Sequence, residues 1–243
     1  MGENTIRIAR NNRLLYFKEE PTQEFWADHW EQYNSYAGIE FARNGCLSNY
    51  YGDILLKYLP QNGKILEGGC GVGDIVVALK ARGFDIVGIE FSEEVVIRVN
   101  KLFPDIPIKV GNILSLEYPD NYFSAYISFG VLEHFQAGPE AGLREAKRVI
   151  KNNGYLIVSV PYFSPLRKLK ANLGYYKGKN DHHLPFYQYA LSKHEFAHTL
   201  VETGFSIERI HYYDSFKGIK DEVSLIGFLN RKGLISNRIQ KYD

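Results

Sequence analysis

The chain has 243 residues and a formal net charge of +1, enough for one large α/β domain and short for two. Its 45% hydrophobic and 23% charged residues suit a globular protein with a sizeable core, and the near-neutral balance argues against nucleic acid as a principal partner. Two cysteines, Cys46 and Cys70, make no disulfide framework, residues 1–13 lack the apolar centre of a secretory signal, and no apolar run reaches bilayer-spanning length; a cytoplasmic protein without a membrane span is expected.

Residues 1–59 are rich in aromatics, including Phe25-Trp-Ala-Asp-His-Trp-Glu-Gln-Tyr33, and are expected to form a helical cap segment. From Lys64 onward, short β-branched runs alternate with amphipathic stretches, the pattern of a parallel sheet covered by helices. Residues 64–67 give a first strand stopped by Gly68-Gly69. A helix over 74–82 follows, with Gly83 as its left-handed cap, and then a second strand over 85–90. Ser92 stands at the N-cap of a helix that buries Val95, Val96, Val99 and Leu102 and stops before Pro104. Residues 106–110 and 123–129 read as third and fourth strands, 140–151 as a helix, and 155–160 as a fifth strand. Ser192 caps a helix running to Thr203, Gly204 closes it, and 205–213 read as a sixth strand. Residues 162–191 interrupt the alternation and are expected to be an insertion that shapes a substrate site.

The chemistry-bearing feature is Ile65-Leu-Glu-Gly-Gly-Cys-Gly-Val-Gly-Asp74, a strand feeding a glycine loop and then a helix. Its glycines run Gly69-x-Gly71-x-Gly73, whereas the dinucleotide fingerprint places its third Gly or Ala one position later, where this chain has Asp74. An acidic side chain at that helix start disfavours a pyrophosphate. Glu67, inside the strand, suits a cationic group such as an amino acid ammonium. Glu90 ends the second strand 90 − 69 = 21 residues past Gly69, where a carboxylate can accept from two ribose hydroxyls.

With these residues in place, the stretch 64–160 resembles the class I S-adenosylmethionine-dependent methyltransferases, especially the branch acting on small molecules. The resemblance implies that the loop backbone at Gly68, Gly69, Gly71, Gly73 and Asp74, with Glu67, holds the methionine part of S-adenosyl-L-methionine. It places Glu90 on the ribose, Phe91 and Ser92 beside the adenine, and Asn112-Ile113 at the adenine edge, where the family usually has Asp. Ser128-Phe129, at the start of Ser128-Phe-Gly-Val-Leu-Glu-His-Phe135, would flank the methionine part, and Lys151-Asn-Asn-Gly154 resembles the turn into the fifth strand. The implied fold is a Rossmann-like, doubly wound, mostly parallel seven-stranded sheet with helices on both faces, occupying residues 60–243. The last strand finds no clear place in 215–243, where the apolar run 223–229 is equally compatible with a helix.

The implied reaction is transfer of the sulfonium methyl to an oxygen or nitrogen of a small-molecule, sugar or lipid-linked acceptor. His134, just past the fourth strand, is the candidate general base, and His29, His182 and His183 are lesser candidates. The Asn/Asp-Pro-Pro-aromatic motif of base-amino methylation is absent after the fourth strand, which reads Ser128-Phe-Gly-Val131. His194-Glu-Phe-Ala-His198 matches the H-E-x-x-H zinc motif literally, but Phe196, Ala197, Leu200 and Val201 make that helix a core-facing one, so no metal site is expected. Asp181-His182-His183 reads as a solvated loop. Arg167-Lys168-x-Lys170 with Lys177 and Lys179, interleaved with Tyr175 and Tyr176, reads as a solvated face first and as a seat for an anionic acceptor second. A nicotinamide-dependent oxidoreductase and a non-catalytic S-adenosylmethionine-binding domain are the remaining alternatives.

Overall fold

The computed structural model describes residues 5–32, 35–178, 183–213 and Glu222. At its centre lie five parallel strands: β3 (Ile65–Gly68), β4 (Ile86–Glu90), β5 (Ile108–Val110), β6 (Phe123–Phe129) and β7 (Ile150–Ser159), in spatial order β5-β4-β3-β6-β7. The order reverses at β3, so the exits of β3 and β6 diverge and open a crevice at the C-terminal edge of the sheet. β3 is buried along its whole length and β4 nearly so, as expected of strands covered on both faces.

Helices α4 (Asp74–Ala81) and α5 (Glu93–Leu102) bury Val76, Leu79, Val95 and Val99 against one face, joined there by residues of α2 (Gly38–Arg43) and α3 (Gly52–Tyr58). On the other face α6 (Glu140–Val149) packs Ala146 and Val149 against Leu66, Phe123 and Tyr126. Phe103, before Pro104, ends α5, and Gly83 at φ +87° closes the turn after α4.

A second sheet stands apart from the first. β1 (Ile6–Arg10) and β2 (Arg13–Phe17) form an antiparallel hairpin whose two turn residues, Asn11 and Asn12, have φ of +50° and +61°. Positive φ at both central positions is the geometry that matches the twist of the flanking strands, and Asn tolerates it better than most residues. β2 then pairs antiparallel with β8 (Phe186–Ala190), so the N-terminal segment and the 162–191 insertion build one lobe together. α1 (Gln23–Gln32) leads from this lobe back over the central sheet, and α7 (Pro165–Asn172) and α8 (Lys193–Glu202) flank it in sequence.

Four expectations are corrected. The described residues contain five strands in the main sheet rather than seven, because residues 205–213 pair with no strand; 206–213 are largely exposed, and β propensity without a partner ladder makes no sheet. The N-terminal segment is a hairpin followed by helices, not wholly helical. The turn Lys151-Asn-Asn-Gly154 lies within β7 as an irregularity between the pairs Phe123↔Ile150 and Ala125↔Tyr155, with Asn153 at φ +65°. Ser92 occupies the N-cap of α5, but its hydroxyl makes no cap bond and donates instead to the Gln23 carbonyl of α1 at 3.0 Å. The readings at Tyr33, Lys179, Asp181 and His182, and the last strand or helix expected in 215–243, lie outside the described residues apart from Glu222.

Gly73, at φ +80°, precedes α4, and a Cβ there would stand 2.1 Å from Ile108 Cδ1. Gly73→Ala is expected to lose about 1–3 kcal/mol from left-handed strain and this clash, measured as a lower urea midpoint at unchanged slope.

Candidate functional site

The glycine loop turns three times through left-handed backbone, at Gly69 (φ +74°), Gly71 (+53°) and Gly73 (+80°). It is tied down from β4: the amides of Gly69 and Cys70 donate to the Ile89 carbonyl at 2.8 and 3.0 Å. Glu90 completes the tether, with Oε2 accepting from the Gly71 amide at 2.8 Å and Oε1 from the Ser92 amide at 2.9 Å. One buried carboxylate thus fixes both the loop and the start of α5. Burial holds the Glu90 carboxyl above its ordinary range, while these amides pull the other way.

Glu67 is buried, and its Oε2 has no hydrogen-bond partner among the described residues. Burial drives its pKa well above the usual carboxylate range, reinforced by Asp74 and then Glu90. Asp74 accepts from the Tyr51 hydroxyl at 3.3 Å at the mouth of the loop. Three carboxylates around one turn, one of them missing a partner, make a seat for a cation.

Gly68 and Ser128 join the strands below. The Ser128 hydroxyl donates to the Gly68 carbonyl at 2.9 Å, and a Cβ on Gly68 would come within 2.1 Å of the Tyr126 hydroxyl. Phe129 lies 5.1 Å, ring to ring, from Tyr51. Phe91 is half exposed beyond β4. Asn112 turns its side-chain oxygen onto the Leu114 amide at 2.9 Å, and Ile113 is buried against Leu132 and Leu143. The residues expected around the cofactor therefore gather at one sheet edge, with Phe91 and Asn112 at its exposed rim.

α1 roofs the loop. A Cβ at Gly71 would fall 2.5 Å from the Trp30 ring, so the absence of a side chain there lets the indole lie on bare backbone. α1 is held by Ser92 on Gln23 and by a bidentate pair between Arg98 and Glu31, both contacts at 2.8 Å. Phe25, Trp26, His29 and Trp30 form a continuous aromatic group along it.

His134 meets this group. Its ring stands 5.0 Å from Trp26 and 4.9 Å from Tyr187, and its Nδ1 is 2.8 Å from the Tyr187 carbonyl oxygen. A carbonyl only accepts, so Nδ1 carries the proton and Nε2 the lone pair. Burial lowers the His134 pKa to about 4, against the Tyr187 bond that raises it, so the imidazole is neutral at pH 7. Tyr187 reaches this position because β8 is irregular there: Tyr16 faces Gln188 and Phe17 faces Phe186, leaving Tyr187 as the extra residue of a bulge. His29 sits within 6 Å of Phe25, with its pKa lowered by burial and then by Lys18. His183 is exposed.

The zinc-like motif points in several directions. Glu195 pairs with Arg13, and His198 Nδ1 lies 3.2 Å from Glu202 on the exposed side of α8. Among the described residues no three His, Cys, Asp or Glu side chains form a metal-sized group.

Four contributors were not singled out from sequence. Trp26 and Trp30 stand at i, i+4 spacing, so their shared helix face was visible but its target was not. Tyr187 depends on the bulge, which leaves no sequence mark. Glu133, next to His134, is buried with its Oε2 unpartnered among the described residues, and burial pushes its carboxyl up to about 8.

Residues 66–158 match the family model described as a methyltransferase domain. A protein of Mycolicibacterium smegmatis described as a probable S-adenosylmethionine-dependent methyltransferase is 29% identical over 150 residues, covering 59% of this chain and 52% of that protein. The demethylmenaquinone methyltransferase of Renibacterium salmoninarum is 32% identical over 108 residues, 43% of this chain and 45% of its own. The chain thus spans about half the length of the curated relatives it matches. In fold it is similar to S-adenosylmethionine-dependent methyltransferases of Thermotoga maritima (TM-score 0.51, 23% identity, 76% of this chain and 79% of that one) and Methanosarcina mazei (TM-score 0.54, 22% identity, 64% and 85%).

A depressed folded-state pKa at His134 means that the unfolded chain binds more protons between about pH 4 and pH 6.5. Its contribution to stability is therefore complete above pH 6.5 and lost as pH falls toward 4, and its imidazole resonances should not titrate between pH 5.5 and 8 in NMR. Glu133 behaves oppositely. Its raised pKa makes its contribution complete below about pH 4.3 and lost as pH rises toward 8. Relative to Glu133→Gln, the wild-type protein should lose stability across that window in denaturant titrations; parallel curves would exclude a buried protonated carboxyl.

Proposed function

We propose that the chain is a class I S-adenosylmethionine-dependent methyltransferase, a reading supported by the methyltransferase-domain match over residues 66–158, and that it transfers a methyl group to an oxygen or nitrogen of a small-molecule, sugar or lipid-linked acceptor. S-adenosylmethionine is the cofactor that this reading implies. The observation that carries the reading is the orphaned, buried Oε2 of Glu67 inside a three-carboxylate turn of bare glycine backbone. A diphosphate would meet repulsion there, whereas the ammonium of an amino acid supplies the missing charge and donor.

In this reading Glu67 takes the ammonium and becomes an ionised, paired carboxylate. Glu90 keeps the loop in register through Gly71 and Ser92 while its remaining lone pairs accept from the ribose hydroxyls. Phe91, Ser92, Asn112 and Ile113 border the adenine, and Gly68, Gly69, Gly73, Asp74, Ser128 and Phe129 border the methionine part. When bound, the cofactor supplies a sulfonium methyl that needs no further activation, so the chain's task is alignment and exclusion of water. Trp26, Trp30 and Tyr187 form the apolar walls that exclude it.

His134 is proposed to touch the acceptor with Nε2. With a pKa near 4 it accepts and orients a hydrogen bond from the nucleophile rather than holding its proton at neutral pH. The proposed organisation is a cap over residues 1–59, a methyltransferase domain over 60–243 and an acceptor-shaping insertion at about 162–191. The pairing of β2 with β8, which joins the cap to the insertion, supports a shared role for these two segments.

Calorimetric titration with S-adenosylhomocysteine, with NADH as control, tests the cofactor class. Binding of the first alone is expected, and Glu90→Ala should weaken it at least tenfold, about 1.4 kcal/mol per decade. Unchanged affinity in that variant would displace Glu90 from the ribose, and binding of NADH alone would overturn the reading.

A further inference from the structure

The second lobe carries a charge cluster that methyl transfer leaves unused. Glu222 enters it with a side chain that is 0% exposed, and among the described residues each of its polar partners is a donor. Oε1 accepts from Arg7 Nη1 at 2.8 Å and Arg167 Nε at 3.0 Å. Oε2 accepts from Lys170 Nζ at 2.9 Å and from the Tyr176 hydroxyl, while Lys170 also donates to the Glu222 carbonyl at 2.8 Å. Arg167 Nη1 is braced by the Tyr162 carbonyl at 2.8 Å, and the Arg7 guanidinium lies 5.0 Å from the Tyr176 ring centre. Burial pushes the Glu222 carboxyl up, but its hydrogen bonds and the cations around it bring it below its ordinary range.

Four donors fill the acceptor capacity of this carboxylate, but three of them are cations against its single negative charge. Each additional partly buried cation costs desolvation that a single negative charge repays only in part. Among the described residues, such a surplus of positive charge suits a group with more oxygens or more charge, and guanidinium forks fit carboxylate and phosphate geometry. The cluster also lies close to the proposed acceptor region. Tyr16 and Tyr176 belong to the apolar cluster on which Tyr187 packs, and Tyr187 is the residue that holds His134. Tyr187 thus links the basic cluster's apolar surround to the base candidate.

We propose that Arg7, Arg167, Lys170 and Tyr176 form an oxyanion-binding site for the carboxylate or phosphate group of the methyl acceptor, with Glu222 as its exchangeable internal occupant. The identity of the ligand as acceptor rests on the methyl-transfer reading; the site itself does not.

The test uses the full chain as wild type, Glu222→Gln and the double variant Glu222→Gln/Arg167→Ala, titrated with inorganic phosphate and with acetate, and with potassium chloride as ionic-strength control. Glu222→Gln weakens the internal competitor, so it should bind phosphate or acetate at least tenfold more tightly than wild type, and the double variant should lose that gain. Preference for phosphate assigns a phosphorylated ligand and preference for acetate a carboxylate. No gain, or a gain that survives removal of Arg167, overturns the site. Should Glu222→Gln not fold, hydrogen exchange of the wild-type protein decides: phosphate, but not chloride, should speed exchange in the peptide bearing Glu222, and equal exchange overturns exchangeability. S-adenosylhomocysteine titrated into the same samples separates the two ideas, since its failure to bind removes the methyl-transfer reading and leaves the oxyanion site standing.

Discussion

The bridge from Glu90 to the amides of Gly71 and Ser92 is the contact on which the rest of the site depends. A loop with three residues in left-handed backbone has little intrinsic preference for one path, because glycine visits many. Two amides on one buried carboxylate remove that freedom, and charge-assisted bonds of this kind are among the stronger ones available to a chain. Once the loop is pinned, Gly71 presents bare backbone to Trp30, Ser92 is placed to catch the start of α1, and the roof has a fixed seat. The amides offset part of the cost of burying Glu90, whereas Glu67 keeps one oxygen without a partner among the described residues. That asymmetry distinguishes two carboxylates a few residues from the same turn: Glu90 already holds the loop, and Glu67 has an oxygen still to be satisfied.

The five-stranded core was legible because its signals are local. Ile65, Ile86 and Ile108 open runs that are short, β-branched and bounded by glycine or proline, and the helices between them carry their apolar residues at helical spacing with Gly83 and Gly204 as stops. Glu67 and Glu90 were legible by their distance from the glycines. Residues 205–213 have the same β-rich composition, but a strand exists only where an edge accepts it, and that is a property of the fold rather than of the segment. The hairpin was missed although Asn11-Asn12, between alternating runs, marks a tight turn; the aromatic helix beyond it dominated the pattern.

The second lobe shows what sequence order hides. β2 and β8 are paired across most of the chain, and neither run names its partner. The bulge at Tyr187 then turns one residue toward His134, and a shift of one residue in a strand changes the face on which a side chain lies. Arg167 and Lys170 looked like a solvated face because short basic runs usually are; Glu222, far along the chain, is what reveals them as convergent.

The net charge of +1 conceals a division of labour. Carboxylates at residues 67, 74 and 90 gather around the glycine loop, and Arg7, Arg167 and Lys170 gather in the small lobe. The two places favour different ligands, one that supplies positive charge to the carboxylates and one that supplies oxygens to the cations.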